Sequence, residues 1–133
     1  MSTPPRTPAR SSAHSEARRE HRITVRSLAA RKRRGARFSM LTAYDYPFAR
    51  VFDAAGIEVL LVGDSVANVV QGLDTPLPVT VDELVYHTRM VARGARRALV
   101  VADMPVGTYH ATPEEAVRIV DNGLDVFMTY YGP

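Results

Sequence analysis

Asp64 and Asp103 each close a short, continuously apolar run, VLLVGDS (Val59 to Ser65) and ALVVADMP (Ala98 to Pro105), about forty residues apart. Runs of this kind read as parallel strands buried on both faces, which deliver their terminal side chains to the carboxyl edge of a sheet. Open α/β sheets and barrels take their ligands at that edge, so two carboxylates side by side there make a hard oxygen donor set suited to a divalent cation such as magnesium. Each aspartate alone is equally well explained as a loop cap, because Asp is a common turn residue. The repeated pattern favours the site.

Other residues carry weaker signals. Gly63 precedes Asp64 either to let backbone approach a ligand closely or simply to make a turn. His87 lies within an expected helix, between Tyr86 and Thr88, and reads as a helix-surface residue rather than a ligand. Tyr109 and His110 fall in the loop after the ALVVAD run, near the expected mouth, within reach of a small molecule bound there. The Thr42–Asp45 block (TAYD) is divided evenly between lining that mouth and merely turning the chain from strand to helix. There is no Walker-type loop and no G-x-G-x-x-G, which sets those modes of phosphate binding aside.

The elements that must position these residues follow from caps and periodicity. Thr24 N-caps a helix that runs through Arg34 and ends at Gly35. Arg37 to Ala43 reads as a first strand, and a helix from about Tyr46 to Ala55 is terminated by Gly56. VLLVGDS is the second strand; a loop with Gly72, Pro76 and Pro78 follows. Thr80 and Glu83 then form a T-x-x-E capping box for a helix to about Arg93, whose Val81, Leu84, Val85, Thr88 and Val91 keep helical spacing toward a core. ALVVAD is the third strand, Thr112 to Glu115 open another helix, and Leu124 to Tyr130 has strand composition. The β-α-β-α-β-α alternation argues for an α/β fold with parallel strands joined by right-handed crossovers.

Composition bounds the reading. At 133 residues the chain is one domain at most, about half of what a closed eight-unit barrel needs. It has no cysteine, which fits a reducing cytoplasm, and no apolar run of membrane-spanning length or secretory h-region. Charge is divided unevenly: residues 1–37 hold eleven Arg/Lys against two Glu, whereas the remainder holds six against twelve acids. Residues 1–22 are expected to form a disordered basic leader and 23–133 the folded domain. The leader lacks aromatics to stack on bases, so nucleic acid is an unlikely partner and a solvated tail is favoured, although its Arg-rich, acid-poor composition also fits an organelle transit peptide.

The blocks MLTAYDYPFARVFDAAGIEVLLVGDS, TPLPVTVDELVYHTRMVARGA and ALVVADMPVGTY together resemble the N-terminal part of the ketopantoate hydroxymethyltransferase (3-methyl-2-oxobutanoate hydroxymethyltransferase) family, from about Thr24 to Val117. The resemblance implies the first three to four units of a (β/α)8 TIM barrel of the phosphoenolpyruvate mutase type, acting in pantothenate biosynthesis. It implies transfer of a hydroxymethyl group from 5,10-methylenetetrahydrofolate to 3-methyl-2-oxobutanoate through a magnesium-stabilised enolate. A homo-oligomer is expected separately, because open strand edges destabilise a lone monomer, and a cytoplasmic location because cysteine is absent. Carried over by position, Asp64 and Asp103 match the family's Mg2+-holding aspartates, both also at the substrate, and Ser65 with the backbone beside it matches the group that grips the substrate carboxylate.

The C-terminus departs from the family pattern. Relatives continue into a V-K-L-E-G-G strand, whose lysine binds substrate and whose glutamate is the third acidic group at the metal; here the chain reads RIVDNGLDVFMTYYGP. That stretch has neither residue, and the general base comes from a later strand of the family. A truncated chain, slow or inert alone, is the expectation. A half-barrel that pairs with another copy, a non-catalytic interaction module, and another metal-dependent enolate enzyme of the same barrel superfamily are the alternatives.

Overall fold

Local signals set most helix boundaries. The computed structural model describes residues 22–108, 112–114 and 116–118. Helix α1 (Val25–Arg33) starts at Thr24, whose hydroxyl accepts from the Ser27 amide (3.1 Å) while Ser27 Oγ accepts from the Thr24 amide (2.9 Å). This is a capping box with serine in the acidic position. Helix α2 (Tyr46–Ala55) is capped by Asp45, which accepts from the Phe48 amide at 2.8 Å, and closed by Gly56 at φ 94°. Only glycine takes that left-handed conformation without strain. Helix α3 (Val81–Gly94) begins with the expected box, in which Thr80 and Glu83 exchange bonds of 2.7 and 3.3 Å.

Three strands, β1 (Met40–Thr42), β2 (Val59–Val62) and β3 (Leu99–Ala102), form a parallel sheet in the order β1-β2-β3. The architecture is α/β, compatible with part of a (β/α) barrel. Leu60, Val62 and Val100 share a buried cluster with Leu84 and Val91 of α3, so one face of the sheet is covered by helix. Central β2 is buried along most of its length, as its unbroken apolar sequence requires. The edge strands differ: Met40, Leu41 and Val101 remain 46%, 42% and 37% exposed. The run ending at Asp103 is therefore only partly a buried strand, because the described residues leave its outer edge uncovered.

Other departures have local causes. The first strand begins at Met40 rather than Arg37, since the Ser39 amide is taken by the Glu58 carboxylate (2.9 Å) instead of a neighbouring strand. The segment after β2 is not a plain loop: Ala67–Gln71 winds into a π-helical turn closed by Gly72 at φ 72°. Residues 113–114 and 116–118 are helical, as Thr112 to Glu115 suggest, and the Ala116 amide donates to the Thr112 carbonyl at 3.1 Å. Most of the basic leader and the Leu124–Tyr130 strand lie outside the described residues. No helix among the described residues is long and apolar enough to cross a membrane.

The amino-terminal edge of the sheet is held by polar clamps. Glu58 accepts from Arg31 Nη1 (2.7 Å), Ser39 Oγ (2.6 Å) and the Ser39 amide, joining α1, β1 and β2. Desolvation raises the Glu58 pKa, but the Ser39 and Arg31 bonds outweigh it and lower it from 4.5 to about 2. A depressed carboxylate pKa contributes stability that is complete above the ordinary value and lost as pH falls through the folded one. Wild-type chain is thus expected to exceed Glu58→Gln in stability at pH 7, with the gap closing between pH 4.5 and about 2. Urea unfolding of both proteins across that range measures it; a gap independent of pH contradicts the account.

Candidate functional site

The opposite, carboxyl-terminal edge carries the candidate residues. Val62 pairs with Ala102, which puts Asp103 one residue and Asp64 two residues past the last paired positions of adjacent strands. The Asp103 amide still donates to the Val62 carbonyl at 2.8 Å, so its backbone is fixed to the end of β2. Its side chain is exposed, and Oδ1 accepts from the Met104 amide at 2.8 Å. Pro105, fully buried, anchors the chain beyond it.

Asp64 and Ser65 open the turn that follows β2. The Asp64 carbonyl accepts from Ala67, and the Ser65 carbonyl from Asn68 and Val69, at 3.0 to 3.1 Å. Val66 and Ala67 are fully buried, which pins the turn to the core while Asp64 and Ser65 stay half-buried at the rim. The Asp64 carboxylate accepts no hydrogen bond among the described residues. The π-helical turn Ala67–Gln71 begins two residues after Ser65. Gly63 is buried without positive φ, and a Cβ there would meet Ser65 Oγ at an ordinary 3.7 Å.

Tyr44, at the end of β1, is the third contributor. It is 8% exposed, and its hydroxyl lies 2.6 Å from Ser65 Oγ. His87 of α3 approaches from behind, with Nδ1 2.7 Å from the Tyr44 carbonyl and its ring edge-on to the Tyr44 ring at 6.3 Å. His87 is therefore not a solvated helix-surface residue; it is half-buried and braces the end of β1. Asp45 is committed to capping α2, so within the TAYD block the turn-building reading holds for Asp45, while Tyr44 reaches the rim.

Three strand ends thus bring Tyr44, Asp64, Ser65 and Asp103 to one edge of one sheet. Two carboxylates stand there beside a pair of hydroxyls bonded to each other. No group of three or more His, Cys, Asp or Glu side chains suited to a metal occurs among the described residues. Two carboxylates nonetheless fit magnesium, which commonly takes one or two from protein and fills the remaining positions with water and substrate oxygens. Tyr109 and His110 lie outside the described residues. The Tyr44–Ser65 and His87–Tyr44 contacts join residues 21 and 43 positions apart, and no local sequence signal announces them.

A family model described as ketopantoate hydroxymethyltransferase matches residues 22–125. Proteins named 3-methyl-2-oxobutanoate hydroxymethyltransferase are similar over the same region. That of Frankia alni is 63% identical over 99 residues, covering 74% of this chain and 33% of the relative. The Thermobifida fusca protein is 58% identical over 97 residues (73% and 35%) and that of Caldicellulosiruptor saccharolyticus 48% over 98 residues (74% and 37%). The chain spans about a third of the length of the curated relatives it matches.

Proposed function

Because the chain belongs to the ketopantoate hydroxymethyltransferase family, we propose that its carboxyl-edge residues form the α-keto acid half of a hydroxymethyltransferase site. The substrate would be 3-methyl-2-oxobutanoate, the one-carbon donor 5,10-methylenetetrahydrofolate and the product ketopantoate, on the pathway to pantothenate. The β-α-β-α-β order and parallel register support reading the fold as the opening units of a (β/α)8 barrel of the phosphoenolpyruvate mutase type.

One observation carries this reading: Asp64 and Asp103 terminate adjacent strands, and Ser65 stands next to the first of them. Asp64 and Asp103 would hold Mg2+ through their carboxylates, while Asp103 Oδ1 also accepts from the Met104 amide. The ion, when bound, supplies positive charge to a keto oxygen and so acidifies the adjoining carbon. Ser65 would donate its hydroxyl hydrogen to the substrate carboxylate, fixing which end of the keto acid faces the aspartates. The buried Val66 and Pro105 anchor the backbone beside each aspartate, and preorganised charge of this kind is what electrostatic catalysis depends on. The family pattern supplies the proton-abstracting base from later strands.

Calorimetric titration of 3-methyl-2-oxobutanoate into the 133-residue chain, with and without Mg2+, tests the assignment. Binding is expected to depend on Mg2+ and to weaken by about tenfold in Asp64→Asn and in Asp103→Asn, the loss of one charge-assisted contact. Metal-independent binding, or binding unchanged in both variants, would sink it.

A further inference from the structure

The hydroxyl pair at the rim has a direction, and that direction gives Tyr44 a role. A peptide carbonyl only accepts, so the 2.7 Å contact between His87 Nδ1 and the Tyr44 carbonyl requires the proton to sit on Nδ1. Helix α3 thereby donates into the end of β1 and fixes the Tyr44 backbone. The Tyr44 ring is buried, edge-on to His87, and has little freedom to turn away. Its hydroxyl meets Ser65 Oγ at 2.6 Å, and only one hydrogen can lie on that line. A Ser65 that donates to a carboxylate has its own hydrogen directed outward, so the shared hydrogen comes from Tyr44. A phenol, much more acidic than an alkyl hydroxyl, is the natural donor of the two. Successive O–H donors polarise one another, and the outermost becomes the stronger donor.

We propose that Tyr44 is a positioning residue that orients and polarises the Ser65 hydroxyl toward the carboxylate of an α-keto acid, with His87 fixing Tyr44 from helix α3. The proposal rests on the carboxylate-binding role of Ser65 given above. It extends the site to β1 and α3, two elements that contribute neither a metal ligand nor a direct substrate contact. Ser65 is half-buried on a turn whose backbone is pinned, so χ1 and the hydroxyl rotor are what remain to be set, and Tyr44 sets both.

Tyr44→Phe in the 133-residue chain keeps the ring and removes the donor. In the wild-type chain, three-bond couplings are expected to show one Ser65 χ1 rotamer, and nitrogen shifts of His87 a protonated Nδ1. In Tyr44→Phe the Ser65 rotamers should average, and keto acid affinity in Mg2+ should fall about fivefold, the scale of one neutral hydrogen bond. Mg2+ affinity without keto acid should not change, which separates lost positioning from general disorder of the rim. His87→Ala should reproduce the effect, and His87→Asn should restore it, because the Asn amide nitrogen takes the place of Nδ1–H. A Ser65 rotamer unaffected by Tyr44→Phe, or a His87 protonated only on Nε2, overturns the inference. Those measurements need no ligand, so a wild-type chain that binds no keto acid would refute the carboxylate reading while the couplings still decide the network.

Discussion

Gly94→Ala is expected to destabilise the chain by about 3 kcal/mol, at the upper end of what overpacking usually costs. Gly94 is the last residue of α3, where that helix crosses α2. An added Cβ would stand 2.7 Å from the Ala49 Cβ, 2.8 Å from the Tyr46 carbonyl oxygen and 3.3 Å from the Arg50 amide. Two of those neighbours are backbone and cannot rotate aside, so the helices must separate and loosen the cluster around Ala49 and Val91. Ala49→Gly in the same protein should recover only part of the loss, since the Tyr46 carbonyl remains and a helix-interior glycine costs about 1 kcal/mol itself. Urea unfolding of the two single variants and the double variant forms the cycle that measures this. A Gly94→Ala protein within about 0.5 kcal/mol of wild type would contradict the close crossing.

Asp53→Ala should cost about as much by a different route. Asp53 Oδ1, at the end of α2, accepts from the buried Arg97 amide at 3.0 Å and the Ala98 amide at 2.7 Å, where the chain enters β3. Truncation strands both donors in a part-buried region, at roughly 1–3 kcal/mol each. About 3 kcal/mol is therefore expected for Asp53→Ala. Asp53→Asn retains a carbonyl oxygen in place of Oδ1 and should recover most of it. The difference between the two variants in denaturant midpoint is the decisive measurement, and equal losses would show that the bonds do not matter. The same clamp sets the start of β3, the strand that carries Asp103 at its far end.

The sequence disclosed the elements far better than their cross-links. Asp45, Pro47 and Gly56 punctuate α2, and Thr80 with Glu83 opens α3, because caps act within a few residues of one another and leave a local signature. Asp64 and Asp103 were visible for the same reason, as the ends of unbroken apolar runs. The brace from His87 to Tyr44 was not, and His87 reads as a surface residue until the α3 face is seen to pack beside the end of β1. Asp53 and Glu58 likewise look like ordinary helix and turn acids, since their partners lie 19 to 45 positions away. The π-helical turn escaped because Val66 to Gln71 has no capping residue, only the closing Gly72. Burial of β3 was overestimated: apolar composition alone does not reveal which strand of the sheet has covered neighbours.

The polar clamps of the sheet sit at one end and the candidate ligand-facing groups at the other. Glu58, Asp53 and Arg97 hold strand entries, whereas among the described residues the Asp64 and Asp103 carboxylates accept only from the Met104 amide. Substitutions at the rim therefore leave the clamps intact, and substitutions at the clamps need not touch ligand. Such a frame is free to diverge: its chemistry can be rewritten at one end across generations of sequence while heritable foldability is guarded at the other.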